Sequence, residues 1–103
     1  RSYTKINNVS FEVQAFLYEE EIFVSVKIKN RNSSALDKPI KILAEVSAVN
    51  NDNQTVNKEI LQTVFSDGEN NLRTKFTDYD IIKIDVELDV NGEKNLISTD
   101  VKR

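Results

Sequence analysis

The chain has no cysteine, histidine, methionine or tryptophan, and only two glycines and one proline in 103 residues. Without cysteine there is no disulfide framework and no thiolate metal site, and the redox compartment stays open. Without histidine the chain lacks the commonest metal ligand and the usual partner of a serine or cysteine nucleophile. The missing methionine points to a processed chain or a domain cut from a longer polypeptide. The missing tryptophan weakens a carbohydrate-stacking role, although Tyr3, Tyr18 and Tyr79 remain available for one. No apolar run approaches the roughly 18 residues of a membrane span, and no signal-peptide core is present. A net charge of −3 with dispersed lysines and arginines argues against nucleic acid as a partner.

What is present is alternation. Ile82, Ile84, Val86, Leu88 and Val90 alternate with Lys83, Asp85, Glu87 and Asp89. Period two means a β-strand with one buried and one solvated face. Asn91-Gly92 then supplies two residues that accept positive φ, as a tight hairpin requires, before a second apolar segment over residues 96–101. Upstream, residues 11–17, 22–28, 40–48, 59–65 and 72–76 read as further strands. Residues 1–8 are polar lead-in with a turn at Asn7-Asn8. Glu19, Glu20 and Glu21 form an acidic connection, and residues 30–39, with the single proline, form the longest loop. Residues 50–57 read as a polar turn and Asp67-Gly68 as a second hairpin signal. Leu43 and Val49 are expected on the outer face of the third strand. About seven short strands with polar turns predict one all-β domain over residues 1–103. Its expected architecture is an antiparallel two-sheet sandwich, immunoglobulin-like or fibronectin-III-like, since an isolated hairpin cannot bury its apolar face.

Four groups of residues are candidates for function. Asp85, Glu87 and Asp89 project from one strand as a docking surface or cation site. Successive carboxylates lie about 7 Å apart along a strand, too far for a compact oxygen cage, so a solvated face is the commoner reading. Lys27 and Lys29 project from the second strand, with Arg31 beyond, and in this topology the two strands belong to different sheets. One face would then be basic and the other acidic, a polarity suited to orienting partners or simply to discouraging edge pairing. Asn8, Asn32 and Asn53 each begin a glycosylation acceptor triplet in or beside a loop, which hints at an extracellular or cell-surface location. Loops 30–39 and 50–57, with Tyr79 nearby, are candidates for binding a ligand at a loop tip. Carboxylate-only catalysis needs two facing acids, and no pair is singled out, so no enzyme activity, cofactor or metal is expected.

Residues 40–46, the strand ending Thr63-Val64-Phe65, the Ser66-Asp67-Gly68 turn, the Leu72 to Phe76 strand and the alternating run from Ile82 follow one another in a familiar order. This order resembles the second half of the macroglobulin domains of complement and thioester-containing proteins. The first half is similar more loosely, through Phe11-Glu12-Val13-Gln14, the strand from Ile22 and Lys38-Pro39-Ile40. Where some of those domains carry a Pro-Gly turn, Tyr18-Glu19-Glu20-Glu21 stands here. The resemblance implies a non-catalytic structural or protein-interaction module of an extracellular multidomain protein. Its partners would be neighbouring domains or another protein. The alternative is a carbohydrate- or protein-binding module of a bacterial surface or adhesin-type protein.

Overall fold

The computed structural model describes residues 2–32 and 34–103. Eight strands follow in chain order: β1 (Ser2–Ile6), β2 (Val9–Tyr18), β3 (Glu21–Asn30), β4 (Ile40–Asn50), β5 (Thr55–Phe65), β6 (Glu69–Thr77), β7 (Ile81–Val90) and β8 (Glu93–Asp100). They form two antiparallel four-stranded sheets, β1-β2-β3-β6 (sheet A) and β5-β4-β7-β8 (sheet B). The alternating apolar positions meet between them. Phe11 and Val13 of β2, Ile22, Val24, Val26 and Ile28 of β3, and Ile42, Ala44 and Val46 of β4 are buried with Ile84, Val86 and Leu88 of β7. Each such valine, leucine, isoleucine or phenylalanine contributes roughly 1.5–3 kcal/mol on burial, and this common layer holds the two sheets face to face.

Residues 2–6, expected as polar lead-in, are instead the edge strand β1, paired from Ile6↔Val9 to Ser2↔Val13. Asn7 and Asn8 make the connecting turn with φ of 50° and 67°, so this hairpin is as tight as the Asn91-Gly92 one. Ile6 is buried whereas Tyr3 and Lys5 are exposed, a one-sided strand too short to stand out by periodicity. The expected inward placement of Ile82 is also corrected. Ile81 is fully buried and Ile82 is 41% exposed, because the β4–β7 register shifts between Val49 and Asn50. A second shift lies between Ala48 and Val49 in the β4–β5 ladder, and Val49, opposite Lys83 on the outer face as expected, is covered there to 3% exposure. A bulge inserts one residue and so inverts the in–out alternation beyond it. In β8 the buried positions are Ile97 and Thr99, while Leu96 lies outside.

Asp67-Gly68 does not close a hairpin. It carries the chain from β5 in sheet B to β6 in sheet A, where β6 pairs with β3. Asn30, at the inner end of β3, pins this corner. Its Nδ2 donates to the Ser34 carbonyl at 3.0 Å and to Asp67 Oδ1 at 3.4 Å. Its Oδ1 accepts the Asn32 N–H, and its own N–H donates to the Gly68 carbonyl. Gly68 has φ of 73° with open space around it. An Asp-Gly pair signals tolerance of positive φ, and that tolerance serves a crossing between sheets as well as a turn within one.

Turns 7–8, 31–39, 66–68 and 91–92 lie at one end of the strands. Turns 19–20, 51–54 and 78–80 and residues 101–103 lie at the other. The last segment runs beside β2 beyond the reach of β1, making a parallel bridge from Lys102 to Phe16.

Candidate binding face

Asp85, Glu87 and Asp89 do share the outer face of sheet B, as their spacing on β7 demands, but each is engaged. Asp85 Oδ1 accepts the Ser98 hydroxyl at 2.6 Å, and its other oxygen lies 4.0 Å from Lys83 Nζ. Glu87 lies 3.7 Å from Lys94 Nζ, and Asp89 accepts the Gly92 N–H. Glu87 also sits opposite Glu45 of β4, whose charge is met by Lys58 of β5 at 3.0 Å. The acidic strand is therefore met by Lys83 of its own strand and Lys94 of β8, and no group of acids among the described residues converges on a cation position. On the opposite side, Lys27 and Lys29 project from β3 across from Glu12 and Ser10 of β2. The two faces differ less in sign than β3 and β7 alone suggest.

The turn asparagines are all exposed: Asn8 beside Arg31, and Asn32 in the β3–β4 loop, both at one end. Asn53, with φ of 61°, is at the other end. Ser33, inside the Asn32 triplet, lies outside the described residues. Loops 30–39 and 50–57 sit at opposite ends of the strands and so cannot act as one binding tip. Tyr79 neighbours only the second of these, in a shallow recess with Asn50, Asp52 and Ile82.

The structure assembles a cluster that alternation alone hides. Phe16 and Tyr18 of β2 and Phe23 of β3 all fall on the solvent parity of sheet A. Phe16 stands directly across from Phe23. Their rings stack with centroids 5.6 Å apart and planes 21° from parallel, and Tyr18 tilts against Phe23 at 6.4 Å. Phe16 is 47% and Tyr18 61% exposed. The rim is polar. Lys75 of β6, opposite Phe23, bridges to Glu21 at 3.4 Å, and Gln14 donates to Glu12 at 3.2 Å. Beside Phe16, residues 101–103 form one wall of an open groove with Gln14, Leu17 and Asp100. The Lys102 carbonyl accepts the Leu17 N–H and the Lys102 N–H donates to the Ala15 carbonyl, so this wall is tied to β2 by its backbone. In the sequence the signal is present as aromatic residues at polar-parity positions of two adjoining strands. It becomes visible only when the hairpin register sets Phe16 against Phe23.

The same end carries the one ion pair with perturbed titration among the described residues. Arg103 grips Asp78 in a two-pronged contact, Nη1 to Oδ2 at 3.0 Å and Nη2 to Oδ1 at 3.1 Å, and Nη2 also donates to the Ile81 carbonyl. Asp78 Oδ1 in turn accepts the Ile81 N–H at 3.0 Å. The Arg103 hydrogen bonds hold the Asp78 carboxyl below its ordinary value, partly offset by desolvation. The arrangement clasps residue 103 to the β6–β7 corner. It offers neither a free carboxylate nor a nucleophile.

No protein-family model matches the chain, and no curated protein matches it in sequence. Among solved structures it is similar to part of the Pseudomonas fluorescens alkylpurine DNA glycosylase AlkC bound to DNA containing an abasic site analogue. That match has 13% identity and a TM-score of 0.50, over 93% of this chain and 31% of the glycosylase chain. A β-glucosidase from Listeria innocua, in complex with gluconolactone, aligns with 16% identity and a TM-score of 0.35, over 92% of this chain and 16% of its own. The chain thus spans under a third of either protein, and the first likeness bears on fold alone.

Proposed function

We propose that this sandwich is a non-catalytic protein-interaction module of an extracellular multidomain protein, and that it docks a neighbouring domain or partner on the Phe16–Tyr18–Phe23 face. The observation that carries the reading is the stacked, solvent-facing aromatic cluster with a polar rim. Exposed aromatics grouped in this way are the usual anchors of a protein interface, each costing about 2 kcal/mol or more when truncated at a hot spot. A non-catalytic role is favoured by the lack of histidine and cysteine and by the engagement of the acidic strand in surface pairs. Once β1 is set aside, the remaining strands group as β2-β3-β6 and β5-β4-β7-β8, with chain crossings after β3, β5 and β6. That grouping supports a fibronectin-III-like or macroglobulin-like module over other sandwiches. Asn8, Asn32 and Asn53, all exposed in turns, support a secreted setting.

The same flat aromatic face is also suited to stacking a sugar ring, which favours carbohydrate binding as the second reading. Hydroxyl-radical footprinting with mass spectrometry separates the two. In the protein isolated from its natural source, Phe16, Tyr18 and Phe23 are expected to label less than in the isolated domain, with Tyr79 unchanged. Equal labelling in both preparations would defeat the docking reading. Protection of Tyr18 in the isolated domain by added soluble oligosaccharides would establish the sugar reading in its place. The same spectra report glycan masses at the three asparagines.

A further inference from the structure

Strand β5 is an edge of sheet B, bonded to β4 on one side only. From Thr55 to Ile60 every residue is exposed. The backbone parity of the edge follows from β4. Lys41 donates its N–H to Asn91 Oδ1 and accepts the Asn91 N–H, so odd-numbered residues of β4 face β7. Even-numbered residues of β4 therefore bond odd-numbered residues of β5. From Asn57 onward, where the ladder is regular, Lys58, Ile60, Gln62 and Val64 present their N–H and C=O groups to the open edge. The Lys58 N–H is met there by the side chain of Asn57 at 2.9 Å. The same residues point their side chains to the outer face, where Ile60 and Val64 are 62% and 65% exposed; Val56, at the bulge, is 41% exposed.

A long edge with no proline is a template for another strand. We propose that a second copy of this chain supplies it, β5 pairing antiparallel with β5 about a two-fold axis at Ile60. Because opposed residues must point to the same face, a two-fold antiparallel pairing places one residue opposite itself. Lys58 on the axis would oppose two lysines, and Glu59 would oppose two glutamates, both unfavourable. Leu61 on the axis would put Val64 against Lys58. With Ile60 on the axis, Ile60 meets Ile60 on the outer face, and each Val64 comes level with the exposed Val56 at the other copy's bulge. Lys58 then meets Gln62 and Glu59 meets Leu61, so no like charges oppose. The Asn57 side chain releases the Lys58 N–H to the Gln62 carbonyl of the other copy. The product is a continuous eight-stranded sheet.

Sedimentation velocity of the chain between about 10 µM and 1 mM, the range that a small interface commands, is expected to show a monomer–dimer equilibrium. Ile60→Lys, at an exposed side chain, should give monomer throughout with an unchanged thermal midpoint. Ile60→Cys introduces the only thiol, and opposed residues of a bonded antiparallel pair have Cα atoms about 5.5 Å apart, within disulfide reach. Mild oxidation should therefore yield a covalent dimer, whereas Val56→Cys alone, with its two copies displaced along the strands, should not. A chain monomeric at all these concentrations, with Ile60→Cys cross-linking no faster than Val56→Cys, overturns the proposal and leaves the edge to an extended segment of another protein. A dimer that survives Ile60→Lys overturns it as well.

Discussion

Thr99 lies on the inner face of β8, opposite Ile84, and is only 4% exposed. Its hydroxyl has no hydrogen-bond partner among the described residues. A hydroxyl taken from water without a partner costs about 1–3 kcal/mol by protein mutational measures. Thr99→Val replaces that oxygen with a methyl of nearly the same shape, keeps the β-branch that suits a strand, and adds roughly 0.8 kcal/mol of apolar transfer. The substitution should therefore stabilise the domain by about 1–2 kcal/mol, against the usual direction of core changes. For a domain of this length, 1 kcal/mol moves the thermal midpoint by roughly 4–8 °C, so a rise of about 4–16 °C is expected. Far-UV circular dichroism melts and urea titrations should agree, with the urea slope unchanged. Thr99→Ser is the control: it keeps the stranded oxygen, loses the methyl and should lower stability by about 1 kcal/mol. If Thr99→Val melts at or below the wild-type midpoint, the hydroxyl is satisfied in solution and the cost assigned to it is wrong.

Other perturbations follow from the same structure. Val86 is fully buried, so Val86→Asp places an unpaired charge in the core and should cost more than about 4 kcal/mol, unfolding the domain by circular dichroism. Asp85→Val, one residue along and on the outer face, should change stability by no more than about 0.5–1 kcal/mol and reduce solubility. Similar melts for the two variants would refute the register of β7. Asp78 has its folded pKa depressed below 3.8, so its contribution is present above that value and lost as pH falls through it towards the folded pKa. Arg103→Gln should cost about 0.5–1 kcal/mol at neutral pH and flatten the loss of stability on acidification below about pH 4; parallel acid profiles would contradict the clasp. Gly92 has φ of 93° and open space around it, so Gly92→Ala meets no clash and its cost, about 1 kcal/mol, is conformational. A neutral result in urea titration would count against the tight Asn91-Gly92 turn.

The parity of the long strands was legible from residue order alone. Ile22 to Ile28, Ile42 to Ala48 and Ile84 to Val90 place an aliphatic residue at every second position so regularly that only a half-buried strand suits them. That pattern carries the all-β sandwich and the outward pointing of Asp85, Glu87, Asp89, Lys27 and Lys29. It could not say which strand lies beside which. Asp67-Gly68 marks a place where φ turns positive, and whether the chain there folds back on its own sheet or crosses to the other depends on Asn30, 37 residues away. The inversion at Ile81-Ile82 comes from a register shift, which is a property of a strand pair and leaves no trace in one strand's alternation. The candidate sites divide in the same way. Exposure of the turn asparagines is local, since turns lie on the surface. The aromatic face exists only because the Glu19-Glu20 turn brings Phe16 opposite Phe23, and the bare edge at Ile60 only because β5 has no outer neighbour. Along the regular strands residue order determined which side chains face water, because facing there is set by the next residue along. Tertiary structure decided which of them meet, because meeting depends on residues distant in the chain.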